Sequence, residues 1–370
     1  MNRNRRAYAL GICILVSIAL SLFLLQAAWR HAAICGQQVY SLSEMSMPSS
    51  GDLKILQIAD VQIAHMSDEC QQLTPEEKTW PCNGRNTTAF VKRLIEYDRP
   101  DLVIFTGDNV YAPTSDAYSR KLLTEITRDV FEAGIQFALV IGNHDVEMPW
   151  VSVTNMHRFM RRRRSEMGGG ALLSGNGLIR ITAQEQTLIH IHLFDYMHQY
   201  CIFCLHGAES QEGEAGAYRP VTESQIRDFE RNSNSSVTSI AFAHIPLKEY
   251  DDLLVASKRN VLHRRMGFNY EKVSYGSPNR LYDALQAKNV KLFSAGHDHI
   301  NDFCGRKQGG VYLCYSGGIG YTTYGSEGWP RRARMFIITK HRTATRIRTY
   351  KRLDDANFSR MHDEYIEESL

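Results

Sequence analysis

The sequence predicts an α/β fold, and three observations carry that prediction. Five short apolar runs read as buried strands, helix-like stretches separate them, and the runs beyond His299 alternate in the manner of antiparallel edge strands. The five runs are LKILQIAD, DLVIFTGD, FALVIGNHD, SIAFAHIP and VKLFSAGHDH. They end respectively in Asp60, in Asp108, in Asn143-His144-Asp145, in His244, and in His297 with His299. Strands buried on both faces hold functional groups at their carboxyl ends. Asp, Asn and His side chains at five successive tips therefore point to a metal site.

Taken in order, the chain begins outside the fold. Residues 2–6 are NRNRR, and residues 7–29 contain no charge, a stretch long enough to span a bilayer. Arg3, Arg5 and Arg6 outweigh Arg30 on the far side, which predicts a cytosolic N-terminus over 1–6 and a type II signal anchor over 7–29. The alternative is a cleaved signal peptide and secretion. Either route puts the body in the secretory pathway or at the cell surface. Residues 30–52 read as a polar stalk, 53–353 as one catalytic domain, and 354–370 as a polar tail in a helix or disordered.

Helical periodicity falls over 86–97, 117–133, 223–232 and 279–288, and LIHIHLFD reads as a strand carrying His190 and His192. These two read as ordinary hydrogen-bonded histidines, whereas His65 and Asp68 are candidates for the substrate mouth. GGVYLCYSGG, RARMFIITK and ATRIRTYKRL read as consecutive strands, with Tyr312, Tyr315, Tyr321 and Tyr324 packing the last sheet and its loop. The run Arg161 to Arg164 reads as an exposed loop. A net charge of +3 without a basic stripe argues against nucleic acid as a partner. In an oxidising compartment the short separations suggest disulfides Cys70–Cys82, Cys201–Cys204 and Cys304–Cys314, with Cys35 left over. Asn86, Asn234 and Asn357 head glycosylation sequons.

The tip residues suit one chemistry. Two cations about 3.5–4 Å apart can clamp the attacking and leaving oxygens of a phosphoryl displacement. They need a bridging carboxylate with hard oxygen and imidazole ligands. A bridging solvent, acidified to hydroxide, would attack, and a histidine free of metal would protonate the leaving group.

Asp60, Gly107-Asp108, Gly142 to Asp145, His244 before Ile245-Pro246, and Gly296 to His299 together resemble the five blocks of the calcineurin-like metallophosphoesterases. CNGRNTTAFVKRL from Cys82 and GHDHINDFCG with LCYSGGIGYTTYGSEGWPRRAR resemble the purple acid phosphatase 29-like group, whose half-cystines match Cys304 and Cys314. The resemblance implies a four-layer α/β/β/α sandwich of two mixed sheets. It also implies one ion held by Asp60, Asp108 and His299, and a second held by Asp108, Asn143, His244 and His297. His144 would act on the leaving group, with Asp145 orienting its ring.

One position departs from the pattern. The superfamily's first block reads Asp-x-His, but here the third residue is Gln62. Purple acid phosphatases also lack that histidine and use a tyrosine three residues after the second aspartate, where this chain has Tyr111. The resemblance therefore implies Fe(III) paired with Fe(II), Zn(II) or Mn(II). The expected function is hydrolysis of phosphomonoesters on an unidentified phosphorylated substrate. A phosphodiesterase acting on nucleotides or lipid head groups is one alternative, and a degenerate non-catalytic scaffold is another.

Overall fold

The computed structural model describes residues 40–369 apart from 75–77, 79–80, 149–150, 152, 167–170, 197–217, 219, 259–262, 307–308 and 342–343. The expected anchor over 7–29, Cys35 and the Cys201–Cys204 pair lie outside the described residues.

The strands are β1 (Ser41–Ser46), β2 (Asp52–Ile58), β3 (Leu102–Thr106), β4 (Gln136–Val140), β5 (Ala171–Ser174), β6 (Gly177–Ala183), β7 (Gln186–Phe194) and β8 (Thr238–Ala243). They continue with β9 (His263–Met266), β10 (Val290–Ala295), β11 (Cys304–Arg306), β12 (Tyr312–Tyr315), β13 (Arg332–His341), β14 (Ala344–Leu353) and β15 (Arg360–Ser369). The helices are α1 (Arg85–Asp98), α2 (Asp116–Glu132), α3 (Val153–Glu166), α4 (Glu223–Asn232), α5 (Lys248–Lys258) and α6 (Leu281–Ala287). Among the described residues the strands form two mixed sheets. One is ordered β1-β6-β7-β8-β10-β12-β11-β9 and the other β15-β14-β13-β2-β3-β4-β5.

Period-two alternation builds the layers. Ile55, Ile104, Phe336 and Ile338 of one sheet face Ile191, Ile240, Phe242 and Leu292 of the other in a single core cluster. The intervening residues, such as Val103 and Phe105, turn outward onto Phe90, Leu94, Leu122 and Ile126 of α1 and α2. Phe194 and Phe293 likewise meet Ile226 and Phe229 of α4. This is the expected α/β/β/α sandwich. Local signals start the helices: the Ser115 side chain accepts from Tyr118 N at α2, and Thr222 and Gln225 form a capping box at α4.

Four expectations need correction. The presumed stalk supplies β1, which pairs in parallel with β6, so the fold begins before residue 53. The polar tail is β15, paired antiparallel with β14. Both are edge strands, where one exposed side and polar residues hide the alternation that marks inner strands. The Arg161 to Arg164 run lies on α3 rather than in a loop, with Arg162 and Arg163 pairing to Glu166 at 3.1 and 3.0 Å. Arginine is a good helix former, and such charge-rich sequence gives little apolar periodicity to read. Moreover, β12 does not adjoin β13; it joins the other sheet, parallel to β10.

Disulfides link Cys70 to Cys82 and Cys304 to Cys314. They are the mark of an extracellular or secretory-pathway protein. Among the described residues, no helix is long and apolar enough to cross a membrane.

Candidate metal centre

The carboxyl ends of β2, β3 and β4 in one sheet face those of β8 and β10 in the other, and each tip residue lies within a few positions of its strand's end. The chain turns sharply there. Asp60, Gln62, Asp108 and His297 all take left-handed φ values, of 57°, 41°, 51° and 76°. Such conformations cost about 1–3 kcal/mol each and persist where the surroundings fix them. Two glycines make the turns fit. A Cβ on Gly107, itself at φ 93°, would lie 2.5 Å from the His244 ring, and one on Gly142 would lie 2.1 Å from Asp108 Oδ1. The glycines ahead of Asp108 and Asn143 are thus a requirement of close approach.

Four donor atoms converge as the second-ion set requires. His244 Nε2 is 3.2 Å from Asp108 Oδ1, 3.1 Å from Asn143 Oδ1 and 3.2 Å from His297 Nδ1. Asp108, His244 and His297 form a group able to hold a cation. His244 Nδ1 lies 2.9 Å from the Thr106 carbonyl oxygen, which fixes the ring with Nε2 inward.

The first set is looser. His299 Nε2 is 3.7 Å from Asp60 Oδ1, and His299 Nδ1 is 2.9 Å from the Tyr324 carbonyl oxygen. With Nδ1 so engaged, Nε2 is a buried nitrogen without a hydrogen-bond partner. A buried imidazole nitrogen 3.7 Å from the Asp60 carboxylate is suited to a cation. Electrostatics agree. Burial pushes the Asp60 carboxyl well above its usual range, and neighbouring Asp108 adds to this. Burial works against charge on Asp108, yet His244 and His144 hold it below that range. Burial also opposes charge on His244, but the Asp108 carboxylate outweighs it and lifts the imidazole to about 9. A cation entering here replaces protons.

Tyr111 meets the site at His144: the residue is 43% exposed, and its ring sits edge-on against the His144 ring at 5.1 Å. Gln62 stands beside Asp108, its Nε2 donating to Oδ2 at 2.8 Å. The Thr323 hydroxyl donates to Gln62 Oε1.

His144 lies at the rim with Nε2 3.9 Å from Asp108 Oδ2. The group at its Nδ1 is Glu147 Oε2, at 2.9 Å, not Asp145. Asp145 is fully buried and accepts from Gly142 N, Asn109 N, Asn109 Nδ2 and Val110 N at 2.8–2.9 Å. It ties the second tip to the third and leaves ring orientation to Glu147. Sequence reading missed this because the order of residues does not show which carboxylate faces the ring. Tyr324 was also misjudged as packing: its ring stacks on His299 at 3.8 Å, and its hydroxyl donates to Glu271 Oε2 at 2.9 Å. His65 Nδ1 meets the Tyr118 hydroxyl at 2.6 Å, and the His65 N–H donates to Asp68 at 2.9 Å. His190 and His192 lie on β7 beneath α4, where His192 packs on Phe229.

Residues 53–301 match the family model of the calcineurin-like phosphoesterases. The chain belongs to that family. This calcineurin-like phosphoesterase is 31% identical, over 86% of its length and 85% of the relative's, to probable inactive purple acid phosphatase 28 of Arabidopsis thaliana. To probable inactive purple acid phosphatase 29 of the same plant it is 27% identical, over 97% and 95%. Among solved structures a dimetal phosphatase from Danio rerio has the same fold, with a TM-score of 0.52 and 13% identity, covering 86% of this chain and 99% of that one. The calcineurin-like phosphoesterases bind two metal ions, and Asp108, His244 and His297 are a possible ligand group for one here.

Proposed function

We propose that the protein is a dinuclear-metal phosphatase that hydrolyses phosphomonoesters. The observation that carries this reading is the convergence of Asp108, Asn143, His244 and His297 donor atoms on one point beside the unpartnered His299 Nε2. Bound metal ions would acidify water and offset charge on the phosphoryl oxygens. Asp60, Asp108 and His299 would hold one ion, and Asp108, Asn143, His244 and His297 the other. Glu147 keeps the His144 ring in place, so Nε2 presents toward the site and can deliver a proton to the leaving oxygen. The names of the two plant relatives include the word inactive; here every ligand of the pattern except the first-block histidine is present, which supports turnover.

The position of Tyr111 supports a pair of divalent ions over the ferric–divalent pair, because its ring rests on His144. The two disulfides support a lumenal or extracellular body, for which a type II anchor over 7–29 is the accompanying proposal. Assaying the full-length protein after reconstitution with Mn(II) or Zn(II) tests the function. Hydrolysis of p-nitrophenyl phosphate, well above that of its bis-ester, is expected. Preference for the bis-ester would make it a diesterase, and no turnover of either would favour the scaffold.

A further inference from the structure

The stretch 320–331 supplies none of the expected metal ligands, yet it reaches both flanks of the proposed first ion position. Gly320 passes so close to the first tip that a Cβ there would meet the Val61 and Asp60 carbonyl oxygens at 2.5 and 2.6 Å. Further along, Thr322 Oγ1 donates to the Gln62 carbonyl at 3.1 Å, and Thr323 Oγ1 donates to Gln62 Oε1. Tyr324 holds His299 by its carbonyl and by ring stacking. Arg331, buried, fastens the strap by donating to the Thr323 and Tyr324 carbonyls at 3.0 and 3.2 Å.

The consequence lies in the direction of the Gln62 amide. With Oε1 engaged by Thr323, the other end of the amide faces Asp108, and Nε2 donates to Oδ2 at 2.8 Å. An imidazole at this place would offer a lone pair to a cation. The amide N–H offers none. It also sets partial positive charge against the carboxylate oxygen that would serve the first ion. On the Asn143, His244 and His297 side the His144 backbone N–H donates to Asp108 Oδ1 at 2.9 Å, so each carboxylate oxygen accepts one N–H, and the sides differ in that position 62 turns a donor rather than an acceptor toward its ion. We propose that Thr323, acting through Gln62, makes the first metal position the weaker of the two. The protein would then hold one ion tightly at the second position and take up the other reversibly. Gln62 and Thr323 are positioning residues in this scheme, which rests on the two-ion reading above.

Calorimetric titration of metal-free full-length protein with Mn(II), with electron paramagnetic resonance on the same samples, tests the proposal. Two binding steps separated by at least about tenfold are expected, in the range of effects that groups around metal ligands exert. His299→Ala should abolish the weaker step and Asn143→Ala the tighter one. Gln62→His should bring the steps together and raise the spin-coupled signal. Gln62→Leu, which removes the N–H, should also tighten the weaker step, whereas Thr323→Ser, keeping the hydroxyl, should behave as wild type. Unfolding temperatures of all variants guard against misfolding as the cause. A weaker first step in Gln62→Leu would show that Gln62 is a ligand and overturn the proposal. Two equally tight steps in the wild type would overturn it and leave the phosphatase reading standing. Absence of any binding would overturn both.

Discussion

Glu147 Oε2 stands 2.9 Å from Nδ1 of His144, so the ring that faces the metal group is held by a carboxylate three residues along the same turn. Both residues touch the site through one imidazole, yet only His144 points at the reacting atoms. His144→Ala should cut kcat by about 10²–10⁴, the range of a lost general acid, with metal content unchanged. Glu147→Gln should lower kcat by about tenfold and leave KM and metal content alone, as expected of a group that only orients the ring. Steady-state kinetics with elemental analysis checks both. Loss of metal in His144→Ala would make it a ligand.

Asp145 collects four N–H donors in the buried interior. Removing it leaves three backbone N–H groups buried without an acceptor, at about 1–3 kcal/mol each. Asp145→Ala should therefore lose about 3–5 kcal/mol in urea unfolding, with metal affinity falling as the Asp108 and Asn143 tips part. A stable, metal-loaded but inactive Asp145→Ala protein would instead restore a direct role on His144.

The positions of the candidate ligands were legible because each residue follows a buried strand, and buried strands announce themselves by apolar runs. Asp60, Asp108, Asn143, His244, His297 and His299 all sit where those runs predict. What stayed hidden depends on side-chain direction or on edges. Glu147 and Asp145 lie two residues apart, and nothing in their order says that one meets the ring and the other the backbone. Tyr324 looked like packing because its partner, His299, is 25 positions away and its stacking is a property of the folded strap. The edge strands β1 and β15 carry too much polar surface to show a period of two. The layered architecture survived these misses because the inter-sheet core is built from inner strands alone.

Tyr111 tests the metal chemistry. Its ring lies against His144 in a residue 43% exposed, and on the divalent reading proposed above it should not bind a ferric ion. Full-length protein loaded with its native metals should show no visible tyrosinate band, and Tyr111→Phe should bind the same metals in the same amount. Elemental analysis and absorption spectroscopy answer this together. Stoichiometric iron, with a visible band that disappears in Tyr111→Phe, would mean that the phenol moves onto the first position.

His190 and His192 set a limit on the acid side that has nothing to do with metal. Their rings lie 5.7 Å apart beneath α4, and neither Nδ1 has a hydrogen-bond partner among the described residues. Burial, with Arg180 adding repulsion, pushes His190 down to about 4; burial, with His190 adding repulsion, pushes His192 down to about 3. An unfolded histidine titrates near ~6.5, so below that pH the unfolded chain takes up protons that the folded one refuses. Stability must then fall as pH falls, by up to about 2 kcal/mol per histidine between pH 6.5 and 5. Urea unfolding of wild type and of the double variant His190→Gln, His192→Leu at pH 7.5 and 5.0 measures it. The double variant should lose about 2–4 kcal/mol less on acidification. Equal losses in the two proteins would assign the acid sensitivity elsewhere, with the protonation of His244 and Asp60 at the metal group the next place to look.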